Sequence, residues 1–268
     1  MKCNKRFDGE KYDISNNFII HFKTKLKKSN TNVLTRENYC IPKKELEYEE
    51  KKYIQAVINY VNEHKEVPSF YSKIYYEIPN EIFEDTEHYT DEFVKNHYNK
   101  CMENFDLNMK FFESLDYNEF NDYLIKFANK NRLIQIDDLK IVDGKTGIYF
   151  LVLDNYKQVY IGISTNGIKK RILQHWSKKK EFGRLLFGNV ETSILSIDSF
   201  GALDTTRIFY KEIIDYKKIH EFEEIIVKKF KKEYRLNRVS GGLNGEEDSM
   251  LRNIKLVASI QEREFDKI

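Results

Sequence analysis

Apolar positions change period partway along the chain. Up to about residue 140 they recur at helical spacing, most clearly from Glu45 to His64, where Tyr53, Ile54, Val57, Ile58 and Val61 share a face before Pro68 stops the helix. Thr90–Met102 and Asn118–Asn129 read as further helices, the second with Phe120, Tyr123, Leu124 and Phe127 along one side. The first forty residues have no clear period. From Thr146 onward the spacing becomes that of strands. Gly147–Leu153 is an unbroken run of seven apolar residues, Asp154–Lys157 supplies turn chemistry, and Gln158–Ile163 is a second β-rich run, so a hairpin is predicted. Ser164, Thr165 or Asn166 can cap a helix from about Gly167 to Lys180 with Ile168, Ile172 and Trp176 as its stripe. Arg207–Ile214 is a third strand and Tyr216–Tyr234 an amphipathic helix, giving the order β-β-α-β-α. The segment Phe182–Thr206, with Asp198 and Asp204, fits no element.

Composition narrows the class. Of 268 residues, 41% are apolar and 33% charged, with 45 Lys+Arg against 43 Asp+Glu, so neither signature of disorder applies. The longest apolar run is far below the ~18 residues of a membrane span. No apolar stretch follows the basic first residues, so no export signal is read and a cytoplasmic location is expected. Cys3, Cys40 and Cys101 are too scattered for a disulfide scaffold or a four-ligand zinc finger.

The charge is unevenly spread. Residues 1–140 carry 22 basic and 25 acidic side chains, a net of −3, whereas residues 141–240 carry 19 and 12, a net of +7. A modest basic excess suits a partner bearing phosphates. Ten of the eleven glycines lie from Gly144 onward, and Pro42, Pro68 and Pro79 all lie before it. These shifts divide the chain into a mainly helical region, 1–140, and a sheet-containing region, 141–268, an α+β class overall.

Several side chains in the second region call for a chemical reason. On the last helix Ile219, Phe222, Ile226 and Phe230 define the apolar face, and at ~100° per residue Glu223 falls inside that arc while Glu221 and Glu224 do not. A carboxylate on a buried face is costly unless it is paired or binds a metal. On the preceding helix Arg171 and His175, at spacing i, i+4, share a face beside the Ile168/Ile172/Trp176 stripe and border the core.

Gly147-Ile148-Tyr149, followed after ten residues by Tyr160-Ile161-Gly162, resembles the signature of the GIY-YIG nuclease superfamily. The match continues through Arg171, His175, Glu223 and Asn237, in order and on the expected elements, over about residues 146–240; Asn244 is a weaker alternative to Asn237. Val227-Lys228 stands where the family commonly has Ile-Lys after its glutamate. The resemblance implies a small mixed three-stranded sheet flanked by helices and hydrolysis of phosphodiesters to a 5′-phosphate and a 3′-hydroxyl. It assigns Glu223 to one divalent cation per active site, Mg²⁺ or Mn²⁺, and Arg171 to the scissile phosphate. Tyr149 becomes general base or orients the water, Tyr160 and His175 hydrogen-bond the phosphate or water, and Asn237 braces the site.

Lys169, Lys170, Lys178, Lys179 and Lys180 give the first helix of this module a basic surface for nucleic acid, and Lys228, Lys229, Lys231, Lys232, Arg235 and Arg238 do so for the second. Within the superfamily the layout is closest to restriction-type or phage-defence endonucleases: the module follows the helical region, about thirty residues follow Asn237, and no cysteine-rich zinc domain accompanies it. DNA is the expected substrate, with an RNA-directed nuclease or an inactive nucleic-acid-binding or protein-interaction module as alternatives. The helical region is expected to recognise sequence, to form a homodimer or to hold a protein partner.

Overall fold

The computed structural model describes residues 18–27, 30–40, 83–85, 88–89, 91–177, 180 and 182–238. The helix expected at Glu45–His64 lies outside them, as do Lys178, Lys179 and Asn244. Two small hairpins come first, β1 (Phe18–His21) with β2 (Thr24–Lys27) and β3 (Phe83–Asp85) with β4 (His88–Tyr89), together with a one-turn helix α1 (Arg36–Tyr39). Helix α2 (Asp91–Ser114) runs well past the expected Met102, and α3 (Tyr117–Lys130) follows, capped by Asp116, whose carboxylate accepts from the Glu119 amide at 2.9 Å. Along α2, Cys101, Phe105 and Phe112 are buried, but so are Asn104 and Asn108, whose side-chain amides donate to the Ser193 carbonyl at 2.8 and 2.9 Å. These two buried polar residues interrupt the apolar period while the helix continues.

The second region is built on a four-stranded sheet in the order β5-β8-β6-β7, from β5 (Ile134–Ile136), β6 (Gly147–Leu153), β7 (Gln158–Ser164) and β8 (Arg207–Glu212). Three of these strands were expected; β5 is the addition, joined from residues assigned to the first region. All three strand pairings are antiparallel, and the one parallel element among the described residues is an isolated bridge between Val159 and Arg235. Helix α4 (Ile168–Ser177) follows β7, and α5 (Tyr216–Lys229) follows β8, ending short of the expected Tyr234, which lies in a separate 3₁₀ turn, Lys232–Tyr234.

All seven residues of β6 are buried, because the central strand is covered on both faces. On one side Tyr149, Leu151 and Leu153 pack with Ile168, Ile172 and Trp176 of α4 and Phe111 and Phe112 of α2. On the other, Ile148, Phe150 and Val152 pack with Phe120 and Leu124 of α3 and Ile226, Val227 and Phe230 of α5. Each fully buried aliphatic side chain here contributes about 1.5–3 kcal/mol. The packing crosses residue 140, since α3 and β5 cover and extend the same sheet. Gly147 begins β6 at φ +136°, and a Cβ there would lie 2.2 Å from the Lys211 carbonyl oxygen, so only glycine lets β6 and β8 approach at this end.

The unassigned segment Phe182–Thr206 contains three 3₁₀ turns, Phe182–Arg184, Ile197–Ser199 and Ala202–Asp204, and ties the regions together. The buried Asp204 carboxylate accepts from the amides of Leu34 (2.8 Å) and Gly201 (2.7 Å) and from the Tyr156 hydroxyl (2.9 Å). Trp176 Nε1 donates to Thr205 Oγ1 at 2.9 Å. Among the described residues no helix is long and apolar enough to cross a membrane.

Candidate active site

The β6–β7 register sets Tyr149 opposite Gly162 and Tyr160 opposite Leu151, so the two tyrosines are diagonal neighbours on one sheet face. Their ring centroids are 6.4 Å apart. Helix α4 lies over this face because Ile168, Ile172 and Trp176 bury there, and the residue preceding each of the last two, Arg171 and His175, therefore reaches the tyrosines. His175 is 3% exposed, with its ring 5.0 Å from that of Tyr160 in an edge-to-face arrangement. Its Nε2 lies 2.9 Å from Tyr149 Oη and its Nδ1 2.6 Å from Asp198 Oδ1. Both ring nitrogens are thus engaged inside the protein. In this arrangement the hydrogen-bond partners of His175 are Tyr149 and Asp198.

Burial pushes both phenols above their ordinary range, with Tyr160 adding to the effect on Tyr149 and the Arg171 guanidinium opposing it on each. The Glu223 carboxylate also lies close enough for its charge to raise both. Burial pulls the His175 imidazole below its ordinary value, against the opposing pull of Asp198. For Asp198, burial acts upward, but the His175 hydrogen bond and the charges of Lys180 and Arg171 hold the carboxyl low. The pair is therefore a neutral imidazole beside an ionised carboxylate. Arg171 is exposed, hydrogen-bonds Gln174 through Nη1 at 3.3 Å, and stays charged, since the two phenols and Asp198 more than offset its desolvation.

Glu223 is half-buried on α5 between the buried Ile219 and Ile226, while Glu221 and Glu224 are exposed. The side-chain hydrogen bonds of Asn237 go to the backbone next to Tyr160. Asn237 is 6% exposed, and its side-chain amide accepts from the Ile161 amide at 3.0 Å and donates to the Ile161 carbonyl at 2.7 Å, standing in for a neighbouring strand beside Tyr160.

The basic surfaces are smaller than the sequence suggested. Lys169 is drawn to Asp143 at 2.5 Å, Lys170 is exposed, and Lys180 is half-buried. Arg235 is buried and Arg238 half-buried. Arg235 is 3% exposed and donates to the Val227 carbonyl, and Arg238 donates to the carbonyls of Ile194, Arg184 and Leu185, so both guanidiniums serve as internal clamps. The residue that sequence reasoning left unplaced is Asp198. Its partner is 23 positions away on another element, and no local spacing marks it.

Among the described residues no group of three or more His, Cys, Asp and Glu side chains forms a metal cage. A single carboxylate whose charge reaches the two phenols can instead hold a hard cation with much of its shell left to other oxygens. Residues 145–237 match the family model described as the GIY-YIG catalytic domain. No curated protein and no solved structure matches the chain. Over residues 145–237 the protein therefore carries a GIY-YIG catalytic domain.

Proposed function

We propose that the protein is a divalent-metal-dependent endonuclease that hydrolyses DNA phosphodiesters to a 5′-phosphate and a 3′-hydroxyl, in restriction or phage defence. The observation that carries this reading is the convergence of Tyr149, Tyr160, Arg171 and His175, with the Glu223 carboxylate in electrostatic reach, inside the matched domain. A nuclease domain implies a nucleic-acid substrate. The defence setting rests on layout alone, with the helical region ahead of the catalytic residues.

The half-buried Glu223, on the face of α5 between the buried Ile219 and Ile226, would hold one Mg²⁺ or Mn²⁺ ion through its carboxylate. That ion, when bound, neutralises charge on the phosphate and the leaving oxygen. Arg171 grips the scissile phosphate, because its planar guanidinium matches phosphate oxygens and is charged at every relevant pH. Tyr149 orients the attacking water or takes its proton, and Tyr160, the more exposed of the two phenols, hydrogen-bonds the phosphate or the water. Asn237 keeps β7, and with it Tyr160, in register. Lys169, Lys170, Lys178, Lys179 and Lys180 contact flanking phosphates without reading sequence. One site cuts one strand, so two copies joined through residues 1–140 would cut both.

The test is the chemistry of the ends. Incubation with Mg²⁺ should convert end-labelled duplex DNA into fragments that DNA ligase rejoins without prior phosphorylation, and EDTA should stop it. Fragments carrying 3′-phosphates, or cutting of RNA alone, would overturn the proposed reaction or its substrate.

A further inference from the structure

We propose that Asp198 is a positioning residue of this site, whose carboxylate fixes His175 in the Nδ1–H tautomer and so makes Nε2 the acceptor for the Tyr149 proton. This rests on the nuclease reading above.

The geometry determines the direction of each hydrogen bond. An ionised carboxylate only accepts, so at 2.6 Å the Nδ1 of His175 must donate to Asp198 Oδ1. A neutral imidazole carries one N–H, which leaves Nε2 with a lone pair. At 2.9 Å from Tyr149 Oη, that lone pair must accept from the phenol. The hydroxyl hydrogen of Tyr149 then points at α4, and its oxygen lone pairs are turned to the other groups of the site. Asp198 can stay ionised there because its side chain is 18% exposed and also lines a cavity of about 220 Å³ shared with Ser199 and Lys180. The charged and titratable groups facing His175 come from every element packed on it: Tyr149 of β6, Tyr160 of β7, Arg171 of α4, Asp198 of the 3₁₀ turn, and Lys180 beyond α4.

This arrangement removes a difficulty in using Tyr149 as a base. A buried phenol does not ionise near neutral pH, so it can take a proton from water only by passing on its own. In the proposed step the water oxygen forms a bond to phosphorus and the bond from phosphorus to O3′ breaks. As this happens a water proton moves to Tyr149 Oη, the phenol proton moves to His175 Nε2, and O3′ takes a proton from solvent. The imidazolium faces the Asp198 carboxylate, and its proton returns to solvent through Tyr149 when the products leave. Tyr149 has no exposed surface of its own, and the exposed Arg171 is the neighbour through which it meets the site opening.

The experiment is ¹⁵N NMR of the full chain labelled at histidine, with His175→Gln to assign the ring, beside cleavage kinetics of Asp198→Asn and Asp198→Glu. The account expects a protonated Nδ1 and a bare Nε2 in the wild type. It expects Asp198→Asn to lose that tautomer and to lower kcat by about 100-fold or more, with KM for DNA within about twofold, as for orienting carboxylates elsewhere. Asp198→Glu should recover part of both. An Nε2–H tautomer in the wild type, or an Asp198→Asn enzyme that keeps the wild-type tautomer and rate, would overturn it. If the wild type cuts no nucleic acid, the nuclease reading fails, and the NMR arm by itself still decides whether Asp198 sets the tautomer.

Discussion

Gly162 stands directly opposite Tyr149 across the β6–β7 ladder, and a Cβ at that position would lie 2.5 Å from both Cζ and Oη of Tyr149 and 2.8 Å from Cε1 of Tyr160. The glycine of the second tripeptide thus makes room for the tyrosine of the first. Gly162→Ala should push the Tyr149 ring off His175, at a cost in stability of about 1–3 kcal/mol. Cleavage should fall by at least about tenfold, because the 2.9 Å contact is lost. Parallel thermal melts and nicking assays would check this, and a variant with unchanged activity would show that the placement of Tyr149 is not needed.

Asp204 joins Leu34, Gly201 and Tyr156 through one buried carboxylate. Asp204→Ala would leave two backbone amides and a hydroxyl without that acceptor, for a loss of roughly 2–5 kcal/mol. In a protein of this size that lowers the thermal midpoint by roughly 5–15 °C. Limited proteolysis should then cut first near residues 30–40. A midpoint within a degree or two of the wild type would mean that this anchor carries little.

The β6–β7 pairing and the side-by-side placement of Arg171 and His175 were legible because each rests on local sequence: the unbroken apolar run at Gly147–Leu153 followed by turn residues, and two side chains one helical turn apart. What escaped depends on partners distant in the chain or on unusual chemistry. The β1–β2 hairpin turns at Phe22 and Lys23 with φ +45° and +52°, the backbone of a type I′ turn made without the asparagine or glycine that signals one. Helix α2 outlasts its apolar pattern because Asn104 and Asn108 are buried on carbonyls of the Phe182–Thr206 segment. Arg235 and Arg238 read as surface charge until the carbonyls around them are in view.

Acid should weaken the fold in a definite window. His175 and His97 are both held below the ordinary imidazole value of 6.5 by burial. Below about pH 6.5 the unfolded chain takes up protons there before the folded protein does, so stability rises with pH from the folded values up to that point. Asp198, held below 3.8, gives up its contribution only at lower pH, as the pH falls through its folded value. Urea midpoints between pH 5 and pH 7 should therefore rise less steeply for His175→Gln than for the wild type. Equal slopes would contradict the buried neutral imidazole.

Salt should distinguish the lysines of α4. Lys170 is exposed, whereas Lys169 is tied to Asp143. Lys170→Gln should reduce the slope of log affinity against log salt by about 0.9 on duplex DNA, and Lys169→Gln by less. Fluorescence anisotropy on a labelled duplex measures both, and two unchanged slopes would remove α4 from the interface.

The central claim is that Glu223 and Arg171 serve one metal-dependent phosphodiesterase site. Its most direct test is nicking and linearisation of supercoiled plasmid by the wild type, Glu223→Ala and Arg171→Ala, each with Mg²⁺ and with EDTA. The account predicts cutting by the wild type with metal alone and none by either variant, all three remaining folded. A wild type that binds DNA yet cuts neither DNA nor RNA with any divalent cation, or a Glu223→Ala enzyme that cuts like the wild type, would contradict it.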